Sequence, residues 1–216
     1  MMRNRLDEQL NTLNRKMIGL SSMCETMIAK ASRALIDGDT GIAREVIRDG
    51  AGIDQSKREI ESFCVKLLLQ QQPVAKDLRQ ISAALKMVTD IERIGDQAED
   101  IAEIILSLHN RKMEDGGIIY KMAKATIQMV SQSIDAFVKK DKELAHNVIE
   151  QDDIVDAFFL EMKEILTGMI AENPQNGGYA LDLLMISKYF ERIGDHAVNI
   201  AQWVIYSING EWKGEV

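Results

Sequence analysis

The sequence predicts an all-α protein built as two tandem three-helix bundles, and three observations carry that prediction. The pentapeptide Glu-Arg-Ile-Gly-Asp occurs at Glu92 to Asp96 and again at Glu191 to Asp195, 99 residues further on in a chain of 216, so the chain is a duplication. Apolar residues recur at alternating spacings of four and three, the seam of helices packed on helices. The chain has only two prolines, and no strict alternation of apolar and polar residues competes with the helical period.

The repeat reaches well beyond the pentapeptide. From Glu92 to Glu103 and from Glu191 to Gln202 the copies agree at eight of twelve positions. Upstream, Asp39 matches Asp141, Ala43 matches Ala145, Val46-Ile47 matches Val148-Ile149 and Asp54 matches Asp156, all at an offset of 102. The three-residue change of offset falls near Pro73 and Pro174, where each repeat is expected to turn.

Taken in order, the first helix is predicted over 3–37 from the seam Leu6, Leu10, Leu13, Met17, Leu20, Cys24, Met27, Ala31 and Ala34. A second over 40–71 follows Asp39, whose short side chain suits an N-cap; Gly50 and Gly52 weaken it by about 1 kcal/mol each without ending it. A third over 76–108 carries the first pentapeptide. The second repeat reads the same way: 117–139 with Ile119, Met122, Thr126, Met129, Ser133 and Ala136 in the seam, 142–171 after the cap Asp141, and 178–208 with the second pentapeptide. Asn110 to Gly117 separates the units, dividing the chain into bundles 1–110 and 111–216. Gly95 and Gly194, mid-helix at one register, predict close approach of a neighbouring helix backbone.

Composition narrows the function. A formal charge of −8, a pI near 5.0 and no basic cluster argue against a nucleic-acid partner. Met1 to Leu10 lacks the apolar core of a secretory signal, and no apolar run approaches the ~18 residues of a membrane span, so a soluble cytoplasmic protein is expected. Cys24 and Cys64 fall roughly 18 Å apart along a helical hairpin, too far for a disulfide.

The acids form the one chemical constellation. Glu92, Asp96, Glu99, Asp100 and Glu103 fit within an arc of about 100° on one helix. Folding each hairpin at its proline brings Asp54 level with Glu92, Asp156 level with Glu191, and Asp152 level with Asp195. Two acid-x-x-x-acid steps on facing helices give four or more oxygen donors, which a hard cation such as Mg²⁺, Mn²⁺, iron or Ca²⁺ would compensate. Salt bridges to Arg93 and Arg192, or exposure to water, are the alternatives. The clusters should differ, because Gly50 stands where the second repeat has Asp152, and Glu99, Asp100 and Glu103 stand opposite Val198, Asn199 and Gln202. His196 reads as a surface or hydrogen-bonding residue rather than a ligand.

With the duplicated Glu-Arg-Ile-Gly-Asp, the segment Gln72-Pro73-x-Ala75-x-Asp77-Leu78-Arg79 and the pairs Ile53-Asp54 and Val155-Asp156, the chain closely resembles the PhoU family of phosphate-transport regulators from about Leu6 to Ser207. The resemblance implies two three-helix bundles and metal contacts from Asp54, Glu92 and Asp96 in one and from Asp152, Asp156, Glu191 and Asp195 in the other. Asp100 and its counterpart Asn199 complete the candidate set, and zinc joins magnesium, manganese and iron as a candidate metal. It further implies a homodimer, not an enzyme, that links the ATPase of a phosphate importer to a phosphate-sensing histidine kinase and represses the starvation response when phosphate is plentiful. A carboxylate-bridged metal enzyme and a structural bundle with a solvated acidic face are the competing readings; the Glu-x-x-His pairs of ferritin-like sites are missing around His196.

Overall fold

The protein is described here by a computed structural model covering residues 2–71, 73–108, 113 and 117–210. Six helices make up nearly all of it: α1 (Met2–Asp37), α2 (Thr40–Gln71), α3 (Ala75–Ser107), α4 (Gly117–Lys139), α5 (Lys142–Glu172) and α6 (Gly177–Asn209), with a 3-10 turn at Pro174–Asn176 ahead of α6. Every helix read from the sequence is present, with each end within one residue of expectation. Among the described residues there is no strand. The expected linker lies largely outside the described residues, as does Gln72.

The α1–α2 and α4–α5 turns are built alike. Gly38 (φ 67°) and its repeat counterpart Lys140 (φ 56°) both take the left-handed conformation that ends a helix. The amides of Asp39 and Asp141 then bond back to the carbonyls of Ala34 and Ala136, each at 2.9 Å. The same two aspartates cap the next helix: Asp39 Oδ1 accepts from Gly41 and Ile42 at 2.8 and 3.1 Å, and Asp141 Oδ1 accepts from Leu144 at 3.0 Å. Each satisfies amides that helix geometry leaves free.

All nine seam residues of α1, from Leu6 to Ala34, are buried, and so are Ile119, Met122, Thr126, Met129, Ser133 and Ala136 of α4. The polar fillers of α4 cost little, because Thr126 and Ser133 donate to carbonyls of their own helix. Each repeat closes as a three-helix bundle, and the bundles join through α1 on α4 and α3 on α6. The outer helices α2 and α5 touch only helices of their own repeat. The outward sides of α2 and α5 are therefore not covered by the other bundle.

Cys24 and Cys64 are free and fully buried. Burial pushes the Cys64 thiol up to about 12, and Cys24 donates to the Ile91 carbonyl at 3.3 Å. Both behave as small apolar residues.

Candidate metal centres

Each repeat places its acids where the outer helix meets the helix that carries the pentapeptide. In the second repeat Asp152 and Asp156 lie on α5, Glu191 and Asp195 on α6. All four come together: burial comes first, then the charges of Asp195, Asp156 and Glu191, in pushing the Asp152 carboxyl up to about 6. Asp152 reaches over α6, so that its Oδ1 would stand 2.9 Å from a Cβ on Gly194. That oxygen is buried and has no hydrogen-bond partner.

In the first repeat Asp54 lies on α2, and Glu92, Asp96 and Glu99 lie on α3. Burial, followed by the charges of Asp96 and Asp54, pushes Glu99 up to about 7. Gly50 takes no part except by its lack of a side chain: a Cβ there would overlap the Glu99 carboxyl group, whose farther oxygen Oε2 would be 2.8 Å away. The clusters do differ as expected, the first having Glu99 on α3 where the second has Asp152 on α5. Glu99, absent from the ligand set expected by resemblance, fills that space from the facing helix.

Two expectations are corrected. The mid-helix glycines do not admit a neighbouring backbone; they admit side chains, Ile53 over Gly95, with Cγ2 3.2 Å from a would-be Cβ, and Asp152 and Val155 over Gly194. The strict levelling of Asp54 with Glu92 is displaced, since Glu92 meets the ammonium of Lys57, nearly one turn along α2 from Asp54. Of the two arginines offered as alternative partners, Arg93 does pair with its neighbouring acid, donating to Asp96 at 3.0 Å, while Arg192 acts across the seam between the bundles on Asp100 and, within α6, on Tyr189.

That seam also claims the two outermost candidates. The Asn199 amide donates to Asp90 Oδ1 at 3.3 Å, and His196 Nδ1 lies 3.1 Å from the same oxygen. Asp100 borders Glu99 on one side and raises the Tyr189 hydroxyl pKa on the other. Asn199 is thereby committed to Asp90, and Asp100 is shared between the cluster and the seam.

The donor set suits a hard cation, because it consists of carboxylate oxygens and one buried oxygen, Asp152 Oδ1, lacks a partner. An unpartnered buried oxygen of this kind is costly unless a cation or water meets it. The cage is not preformed: among the described residues no three His, Cys, Asp or Glu side chains converge as metal ligands. Lysines stand in, Lys57 on Glu92 and Lys188 on Glu191. Neither lysine was singled out from the sequence, although Lys188, three residues before Glu191, sits at the spacing at which helical side chains meet. The Lys188 side chain is 43% exposed.

Comparisons with known proteins agree with the two-repeat helical fold. The PhoU domain family model matches residues 17–105 and 119–204, one match in each repeat. A relative from Clostridium acetobutylicum, named phosphate-specific transport system accessory protein PhoU homolog, is 34% identical over 98% of this chain and 97% of its own length. A protein of the same name from Aquifex aeolicus is 35% identical over 96% and 94%. The crystal structure of PhoU from Pseudomonas aeruginosa superposes with a TM-score of 0.88 at 32% identity, covering 95% of this chain and 99% of that one. The structure of a phosphate transport system regulatory protein PhoU from Streptococcus pneumoniae gives 0.88 at 25% identity, over 97% and 100%.

Proposed function

The chain belongs to the PhoU family, and from that premise we propose that it is a metal-binding regulatory adaptor of a phosphate-transport system. The observation that carries the metal half of this reading is the duplicated hairpin of acids, with an unpartnered buried oxygen at Asp152. All-carboxylate donors favour magnesium, manganese or iron. Zinc, which takes nitrogen and sulfur readily, meets only oxygen donors in these acids. Elemental analysis of wild type beside Asp156→Ala with Glu191→Ala tests this half. Loss of metal from the double variant supports it, and equal metal content in both sinks it. Metal that binds only the folded state also raises its stability by mass action, so chelation should lower the melting temperature of the wild type.

The regulatory half rests on relatives named for the phosphate-specific transport system. No helix of the described residues is long and apolar enough to cross a membrane. In this reading the protein acts in the cytoplasm as a homodimer and docks by its helix faces on the ATPase subunit of the importer and on a phosphate-sensing histidine kinase, holding the starvation response off when phosphate is plentiful. A deletion strain should express phosphate-starvation genes in high phosphate. Normal repression in that strain, or metal-dependent turnover of phosphate esters by the purified protein, would move the assignment to an enzyme.

A further inference from the structure

We infer that the protein binds one inorganic phosphate ion in a pocket between the two bundles, where α3 of the first repeat begins and α4 and α6 of the second end. The residues concerned take no part in the acidic clusters: Arg79 stands about 20 Å along α3 from Glu92.

Three cations gather there from both repeats. Lys76 and Arg79 come from α3, Lys140 comes from the α4–α5 turn, and Ser207 of α6 adds to the wall of a pocket of about 210 Å³. Among the described residues no Asp or Glu lines it, and none of the three cations has an ion-pair or hydrogen-bond partner for its side chain. In a chain of formal charge −8 such a cluster is a local anion trap. The volume exceeds the roughly 10–15 Å³ that one water needs and falls below the ~300 Å³ at which sites for drug-sized molecules begin. The space suits a small ion.

The wall also carries a buried donor and a buried acceptor that nothing meets. Arg79 Nε and Gln80 Oε1 are both buried without a hydrogen-bond partner, and both residues line the pocket. Gln80 is 4% exposed, and its amide nitrogen already donates to Asn14 Oδ1 at 3.4 Å, which leaves its oxygen to be met by a donor. A ligand for this pocket therefore has to accept and to donate. Inorganic phosphate does both near neutral pH, because its charged oxygens accept from guanidinium and ammonium groups while it keeps at least one P–O–H. Sulfate keeps none. A single water could meet both orphaned atoms but would leave the three cations without a counter-charge.

The duplication shows that the fold does not require these cations. The stretch Pro174 to Leu181, which opens α6 as Lys76 and Arg79 open α3, contains no Lys or Arg, and the counterpart of Lys140 is Gly38. Each cation also stands against local preference. Lys76 lies in the first turn of α3, where positive charge opposes the helix dipole. Lys140 holds φ 56°, which is disfavoured for a residue with a Cβ, and the end of α4 already has a cation in Lys139. Arg79 runs beside Gly210, with Nε 3.6 Å from the place of a Cβ, yet makes no hydrogen bond to the end of α6. A phosphate held here would touch both repeats and fasten one to the other.

The experiment uses the full-length chain in chelator, so that no cation on the acidic clusters recruits the anion. Equilibrium dialysis measures bound radiolabelled inorganic phosphate, and melting is followed in phosphate, in sulfate and in O-phosphoserine, the same group carried on a protein side chain, at matched ionic strength. The expected result is a single saturable phosphate per chain and a rise in melting temperature by mass action, with less response to the other two anions. Lys140→Gly and Arg79→Gln should each weaken phosphate binding about tenfold or more, the scale of a lost charge-assisted hydrogen bond. Lys140→Gly should do so in a protein at least as stable as the wild type, since Gly38 builds the same turn. Gln80→Met should erase the advantage of phosphate over sulfate. No saturable binding, an equal response to sulfate in the wild type, a preference for phosphoserine, or full affinity in Lys140→Gly overturns the inference, and each leaves the cation sites standing.

Discussion

Asp90 Oδ1 lies 3.1 Å from His196 Nδ1 and accepts from the Asn199 amide at 3.3 Å, joining α3 of one repeat to α6 of the other. The side chains of Asp90 and His196 are 16% and 18% exposed, so the bond is sheltered. It exists once, because the repeat places Tyr189 opposite Asp90 and Gln97 opposite His196. The duplication is thus broken where the bundles meet: the positions equivalent to Asp90 and Asn199 are held by Tyr189 and Asp100, with Arg192 beside Asp100.

Asp90→Ala should destabilise the protein by about 1–2 kcal/mol, because it strands two half-buried polar partners. A shift of roughly 2–4 °C in melting temperature per kcal/mol is expected at this size. Asp90→Asn keeps an acceptor and should lose less. Identical melting of Asp90→Ala and wild type would mean that water satisfies both partners.

Lys140→Gly should stabilise. A residue with a Cβ at φ 56° is held in a conformation that costs roughly 1–2 kcal/mol, and the counterpart Gly38 shows the turn built without that cost. The greater freedom of glycine in the unfolded chain offsets part of the gain, leaving about 0.5–1 kcal/mol. Equilibrium urea unfolding measures it, and a lower midpoint for the variant would refute the argument.

The helices were legible in the sequence because their period, the two aspartate caps and the two prolines all agree, and the agreement holds in both copies. The composition of the second cluster was legible too, since the hairpin count alone brings Asp152 near Asp195. The first cluster was not. Glu99 sits on the helix opposite the one where the repeat leads one to look, and only its overlap with the empty side of Gly50 connects the two changes. The seam was equally hidden, because nothing in the order of residues says that α3 meets α6 at Asp90. Asn199 enters the candidate set as the counterpart of Asp100, and that position also faces the other bundle.

In the metal-free protein, stability should rise as pH falls from 8 toward 5.5. Glu99 sits at about 7 against an ordinary 4.5, and Asp152 at about 6 against 3.8. A carboxyl that holds its proton more tightly folded than unfolded contributes stability below its unfolded value and loses it as pH rises through the folded one. The groups that crowd Glu99 are Asp54 on α2 and Asp96, Asp100 and Glu103 on α3. Those that crowd Asp152 are Asp195 and Glu191 on α6 and Asp156 and Asp153 on α5. Glu99→Gln with Asp152→Asn should flatten the melting profile over this range in chelator. An unchanged slope would show that the crowding is relieved by solvent.

Gly95→Ala and Gly194→Ala should behave differently despite their shared register. Each gains about 1 kcal/mol of helix propensity. At Gly95 the new methyl meets Ile53 at 3.2 and 3.3 Å, and Ile53 is 2% exposed, held on every side and unable to retreat. Overpacking of this kind costs about 1–3 kcal/mol, so Gly95→Ala should be neutral to destabilising by up to about 2 kcal/mol while leaving the carboxylates in place. At Gly194 the methyl meets Asp152 Oδ1 at 2.9 Å, the end of a side chain that can swing toward solvent. Gly194→Ala should therefore keep or raise the melting temperature in chelator and yet lower metal occupancy in the second repeat, because the acid that crosses to α6 is pushed off it. Calorimetry with and without manganese separates the two effects, and a Gly194→Ala protein that binds metal as the wild type does would show that Asp152 need not lie over α6 to serve as a ligand.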